Sequence, residues 1–181
     1  IRANDLRTPL PQRPRAFLVS RDGSTDAVGG LPLALVDDPS RADLILLTAS
    51  TTDTVPMEET VERLRPSAES GTPCLCTNPD KAMITPAGTF PGAGAIADAY
   101  ARLGGPVEWI GKPHPETYRA ALALLPGVPG NRILCVGDSL EHDIAGGHDA
   151  GLATAAVQTG LLAGKTTSEL ETLYEHFGVR P

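Results

Sequence analysis

No run of apolar residues in this 181-residue chain approaches the length of a bilayer span, so no membrane partner is expected. Positive charge is also short: 15 Lys and Arg stand against 22 Asp and Glu, a net charge of −7. The basic footprint that a nucleic-acid backbone demands is missing, which argues against a nucleic-acid partner. No signal peptide is visible. Cysteine is scarce, and Cys74, Cys76 and Cys135 all lie in apolar, strand-like runs. A Cys-x-Cys pair with no second pair and no suitably spaced His makes a poor zinc site, so buried free thiols are expected, as in a reducing cytoplasm. His114, His142 and His148 show no metal-ligand spacing and are expected at the surface.

Short apolar runs alternate with helical patterns along the chain. Arg15 to Ser20, Leu31 to Val36, Leu44 to Thr48 and Pro73 to Thr77 read as strands, each ended by Gly, Asp, Pro or Ser. After Pro56, the residues Met57, Val61 and Leu64 recur at helical spacing, with Glu58 and Glu59 in the first turn, where the helix dipole favours them. Further helices are expected from about Gly94 to Leu103, Pro115 to Leu125, Asp143 to Ala150 and Ser168 to Phe177. This alternation predicts an α/β fold with mostly parallel strands. Gly104-Gly105-Pro106 marks the expected boundary, dividing the chain into residues 1–105 and 106–181.

The most informative block is Arg132-Ile-Leu-Cys-Val-Gly-Asp-Ser-Leu-Glu-His-Asp-Ile144. It reads as a buried strand that stops at Gly137 and delivers Asp138 and Asp143 beyond its carboxyl end, where open α/β sheets take their ligands. Carboxylates are hard oxygen ligands of the kind Mg²⁺ prefers. The competing view is local: Asp138 begins a turn, and Asp143 sits in a first helical turn. Upstream, Trp109-Ile-Gly-Lys-Pro-His-Pro115 holds Lys112 between a Gly and a Pro. A fixed ammonium beside paired acids suits a site that takes phosphate and a divalent metal together.

With these two blocks the chain resembles the haloacid dehalogenase-like phosphohydrolases, in the subclass with a large α/β C2-type cap that includes phosphoglycolate and pyridoxal phosphatases. Gly111-Lys112-Pro113 is similar to that family's third motif, and Gly137-Asp138 through Asp143 to its fourth. Cys76-Thr-Asn-Pro-Asp80 and Gly88-Thr-Phe-Pro-Gly-Ala-Gly94 resemble the last part of the cap, and Asp149 to Gly160 resembles the strand and loop after the fourth motif. The resemblance implies a C2-type cap over residues 1–105, including a linker at its start, and the carboxyl-terminal part of a Rossmannoid core over 106–181. It implies Asp138 as a Mg²⁺ ligand, with Lys112 and Asp143 as catalytic groups. It also implies a loop, Lys81 to Thr85, over the leaving group, so that Asn78, Asp80, Lys81 and Met83 contact substrate; Asn78 could equally cap a turn before Pro79.

The family's opening strand, Asp-x-Asp-Gly with the nucleophile, is not found among the 181 residues. Phe17 to Ser24 has Ser20 where that nucleophile belongs, and only ninety residues separate Asp22 from Lys112, so this stretch reads as the first cap strand. The expectation is that the amino-terminal half of the core is absent and that the chain alone is inactive. The expected activity is Mg²⁺-dependent hydrolysis of a small phosphorylated metabolite through an aspartyl-phosphate, by a cytoplasmic enzyme whose oligomeric state, a homodimer being one option, the sequence does not fix. Two rivals remain. Gly137-Asp-Ser-Leu140 spells a serine-esterase signature with Ser139 as nucleophile, and the chain could be a non-catalytic binding fragment.

Overall fold

The computed structural model describes residues 10–180. They form two compact units that divide between Ile110 and Gly111. The first holds a five-stranded parallel sheet in the order β2-β1-β3-β4-β7, from β1 (Arg15–Val19), β2 (Ala34–Leu35), β3 (Leu44–Leu47), β4 (Cys74–Cys76) and β7 (Val107–Trp109). A hairpin of β5 (Ala82–Thr85) and β6 (Gly88–Pro91) stands apart from it. The boundary thus lies beyond the glycine turn at 104–106, because β7 hydrogen-bonds to β4 and belongs to the first sheet.

Side chains alternate across this sheet with period two, and both faces are covered. One face presents Phe17, Val19, Ile45, Leu47, Cys74 and Cys76 to helices α1 (Met57–Glu69) and α2 (Ala93–Arg102), which contribute Leu64, Ala68, Ile96 and Tyr100. The other face packs Ala16, Leu44, Leu46 and Leu75 against Val28 and Leu33. The strand expected over 31–36 shrinks to two residues. Leu31 and Leu33 are held instead in a turn, where the Leu31 amide donates to the Val28 carbonyl at 3.1 Å.

Burial acts on the thiols. Cys74 and Cys76 are 1% and 0% exposed, and desolvation pushes the Cys76 thiol up to about 11 and the Cys74 thiol higher still. Both are protonated at pH 8. A native-state titration with Ellman's reagent at that pH is therefore expected to modify at most the half-buried Cys135, and all three only in denaturant. Two or more fast-reacting thiols in the native chain would contradict this packing.

The second unit pairs β8 (Leu134–Gly137) in parallel with β9 (Ala153–Ala156), flanked by α3 (Pro115–Ala123), α4 (Gly146–Asp149) and α5 (Thr167–Phe177). Its core gathers Leu140, Ile144, Leu162, Leu170 and Val179. The helix expected from Asp143 starts earlier, as a wide π-type turn over Leu140–Ala145 that runs into α4. Ser139 caps this turn, its side chain accepting from the His142 amide. The start of α5 is fixed by a reciprocal capping box between Thr166 and Glu169. His142 corrects the expected surface position, being 3% exposed. Its Nδ1 lies 2.9 Å from Ser139 Oγ, and its carbonyl accepts the Tyr118 hydroxyl at 2.8 Å, so both ends of the residue are tied inward.

Candidate active site

The carboxyl end of β8 carries the acid pair. Asp138 Oδ2 accepts the Leu161 amide at 2.7 Å, which ties the strand mouth to the loop after β9. This approach requires the glycine at 160: its φ is +49°, and a Cβ there would lie 1.8 Å from Asp138 Oδ2. Asp143 folds back over the strand end. Its Oδ2 accepts the Ser139 amide at 3.1 Å, and a Cβ on Gly137 would come within 2.2 Å of its Cγ. The pattern Gly137-Asp138-Ser139 through Asp143 is thus a local device, in which a bare Cα makes room for the second carboxylate beside the first.

Lys112 completes the cluster. Its Nζ forms an ion pair and hydrogen bond with Asp143 Oδ1. The side chain of Asp143 is 11% exposed and that of Lys112 is 45% exposed, so the carboxylate is enclosed while the ammonium reaches solvent. Pro113 packs beneath, against Gly146, where any Cβ would meet the Tyr118 hydroxyl and Pro113. Lys112, Asp143 and the Asp138–Ser139 loop, read from separate sequence blocks, are therefore brought together within one unit.

The donors suit Mg²⁺ chemically. That ion characteristically takes one or two carboxylates and completes its shell with water and substrate phosphate. Asp138 commits its Oδ2 to the Leu161 amide. Among the described residues no group of three or more His, Cys, Asp and Glu could hold a metal by itself.

The remaining candidates lie in the first unit. Asn78 Oδ1 accepts the Asp80 amide at 3.3 Å, so the turn-capping role is realised. The start of α2 sits directly on this turn: the Gly94 amide donates to the Asp80 carbonyl at 3.0 Å, and a Cβ on Gly94 would lie 1.9 Å from the Pro79 carbonyl oxygen. Lys81 is engaged locally, 2.7 Å from Asp98 and with Nζ 4.4 Å above the Trp109 ring. Met83 Sδ lies 3.0 Å from Arg21 Nη1. Arg21 in turn grips Asp53 with both terminal nitrogens, at 2.6 and 3.1 Å. Arg21, Asp53 and Asp98 were not singled out from the sequence. Pairs 17 and 32 residues apart leave no local pattern to read.

Residues 109–176, which span the lysine and both acids, match the HAD-hydrolase-like family. Over this stretch the chain is similar to the haloacid dehalogenase-like hydrolases. It is 35% identical over 88 residues to dihydroxyacetone phosphatase of Corynebacterium glutamicum, covering 48% of this chain and 32% of that protein. An acid sugar phosphatase of Staphylococcus aureus is 36% identical over 93 residues, or 51% of this chain and 36% of that protein. Among solved structures, the p-nitrophenyl phosphatase from Archaeoglobus fulgidus superposes with a TM-score of 0.69 at 26% identity, over 93% of this chain and 62% of that one. The chain's matches span about a third of the length of these curated relatives. The matched stretch holds Lys112, Asp138 and Asp143 within the second unit's parallel α/β architecture.

Proposed function

We propose that this chain supplies the cation-and-acid portion of a phosphatase site, together with a C2-type cap, in hydrolysis of a small phosphorylated polyhydroxy metabolite. The observation that carries this reading is the Lys112–Asp143 pair at the mouth of β8, its carboxylate enclosed and its ammonium open to solvent, beside Asp138. Lys112 offers a fixed positive charge to the negative charge that develops on a transferring phosphoryl group. Asp143 orients that ammonium through Oδ1 while Ser139 anchors its Oδ2, so the cation is held before substrate arrives. Asp138 would hold Mg²⁺, which when bound neutralises phosphate oxygens. The attacking carboxylate is expected from an Asp-x-Asp-Gly strand, which is not among these 181 residues. Ser20 to Gly23, at the end of β1, follows a strand that pairs in the first unit's sheet. That supports the first unit as cap, and the relatives' sugar and triose substrates support the substrate class.

The 2.9 Å contact between Ser139 Oγ and His142 Nδ1 gives the esterase reading a specific observation in its favour. Against it, Ser139 is 8% exposed, and its hydroxyl is committed to capping the helix start. Two assays separate the readings. The 181-residue chain is expected to hydrolyse neither p-nitrophenyl phosphate with Mg²⁺ nor p-nitrophenyl acetate. The first activity is expected in a polypeptide that also carries the Asp-x-Asp-Gly strand. Acetate hydrolysis lost in Ser139→Ala would establish the esterase, and phosphate hydrolysis by the chain alone that vanishes in Asp22→Asn would overturn the cap assignment.

A further inference from the structure

His142 is buried where an apolar side chain would fill the same space, on the same turn as the core residues Leu140 and Ile144. Burying an imidazole costs free energy unless its polar atoms are engaged, so its hydrogen bonds tell what it holds. The contacts of Ser139 give one of them a direction. Ser139 Oγ accepts the His142 amide at 3.2 Å and stands 2.9 Å from His142 Nδ1. A hydroxyl has one proton to give. Among the described residues Nδ1 is the acceptor within reach of that proton, so Ser139 donates to Nδ1 and the ring carries its own proton on Nε2.

The same serine supports the acid that holds the cation. Its amide donates to Asp143 Oδ2 at 3.1 Å, and Asp143 Oδ1 pairs with Lys112 Nζ. The backbone of His142 is held from α3, where the Tyr118 hydroxyl donates to its carbonyl at 2.8 Å. Burial pushes that phenol up to about 12, so it remains a donor. Gly146 closes the circuit. A Cβ there would lie 2.4 Å from the Tyr118 hydroxyl oxygen and 2.8 Å from Cα of Pro113, the residue after Lys112. The contacts thus run from Lys112 through Asp143, Ser139, His142, Tyr118 and Pro113 back to Lys112. Inside this ring the Ser139 carbonyl accepts both the Asp143 amide, at 2.9 Å, and the Ile144 amide, at 3.2 Å, which gives the turn its π-type width. Turns of this kind are frequent at functional sites.

We propose that His142 is a positioning residue of this site: through Nδ1 it fixes the side chain of Ser139, and so holds the Ser139 amide on Asp143, which aims the Lys112 ammonium. It acts through Ser139 and Asp143 and touches no reacting atom. Its value to catalysis rests on the phosphatase reading; the hydrogen-bond relay does not.

Two substitutions separate this role from that of a core filler. His142→Leu keeps a similar volume and removes the acceptor, whereas His142→Asn is smaller but places Oδ1 near the position of Nδ1. Hydrogen exchange of the 181-residue chain reads the relay at the Ser139 amide, with the Leu170 amide of the same core as the reference for overall unfolding. Relative to that reference, the Ser139 amide is expected to exchange about tenfold faster in His142→Leu, the loss of one buried hydrogen bond, and within about threefold of wild type in His142→Asn. Acetylation of Lys112 should follow the same order, fastest in His142→Leu. If neither variant folds, the wild-type chain carries the test by itself: the ¹⁵N shift of His142 Nδ1 at pH 8 is expected at the bare-nitrogen position. Core filling predicts the reverse order, with His142→Leu equal to wild type and His142→Asn the worse. That order, equal exchange in all three chains, or a protonated Nδ1 at pH 8 would overturn the proposal. An intact relay in a polypeptide that carries the Asp-x-Asp-Gly strand yet hydrolyses no phosphate monoester would instead count against the phosphatase reading alone.

Discussion

Asp138→Asn, in a polypeptide that also carries the Asp-x-Asp-Gly strand, is expected to lower Mg²⁺-dependent hydrolysis of p-nitrophenyl phosphate by on the order of 100- to 1,000-fold. The change removes one negative charge and keeps the shape. The amide oxygen can still accept the Leu161 N–H, so the loop after β9 stays in place. On the proposed reading the change removes the charge that would hold a hard cation, and with it several kcal/mol of stabilisation of the developing phosphoryl charge. The thermal midpoint should change little, because Asp138 is only partly buried and its backbone role as a strand end is untouched. Turnover within about twofold of wild type, a difference of under 1 kcal/mol, would remove Asp138 from the metal site.

Lys112→Ala is expected to depress all phosphate monoesters together, by roughly 100- to 1,000-fold, comparable with deleting one preorganised donor at a developing oxyanion. The variant also strands Asp143. That carboxylate is 11% exposed and would lose its cation while keeping the Ser139 amide. An uncompensated, mostly enclosed carboxylate is costly, so Lys112→Ala with Asp143→Asn should be more stable than Lys112→Ala alone. The activity loss should not be rescued. Met83→Ala provides the contrast, since Met83 lies in the first unit beside Arg21. It is expected to alter the ranking of sugar and triose phosphates while sparing the generic ester, because discrimination and chemistry reside on different groups. Equal percentage losses on all substrates in both variants would contradict that separation.

Much of the second unit was legible because its information is local. Gly137, Asp138, Ser139 and Asp143 lie within seven residues, and the bare Cα, the cap and the two acids follow from their spacing. Lys112 could be joined to them through the family's motif order, and the ion pair brings the two blocks together. The buried Ser139–His142 contact was missed, although a Ser cap followed by a His three residues on is a readable signal. Hairpin β5–β6 reads as a loop in the sequence because Thr85-Pro-Ala-Gly88 dominates the stretch and its flanks lack strict apolar alternation. Lys81 was expected to offer its charge to a leaving group. The structure engages that charge with Asp98 and the Trp109 face, a long-range arrangement that no local pattern announces. The Arg21–Asp53 pair, which ties the end of β1 to the loop after β3, leaves no local pattern for the same reason.

The most direct measurement is Mn²⁺ binding, followed by the EPR signal of the free ion, to the polypeptide that includes the Asp-x-Asp-Gly strand. Mn²⁺ serves as the spectroscopic substitute for Mg²⁺ because both favour oxygen ligands. The account predicts one saturable site in the wild type, lost in Asp138→Asn and retained in Asp53→Asn, whose carboxylate lies in the first unit with Arg21. Equal Mn²⁺ binding by wild type and Asp138→Asn would contradict it.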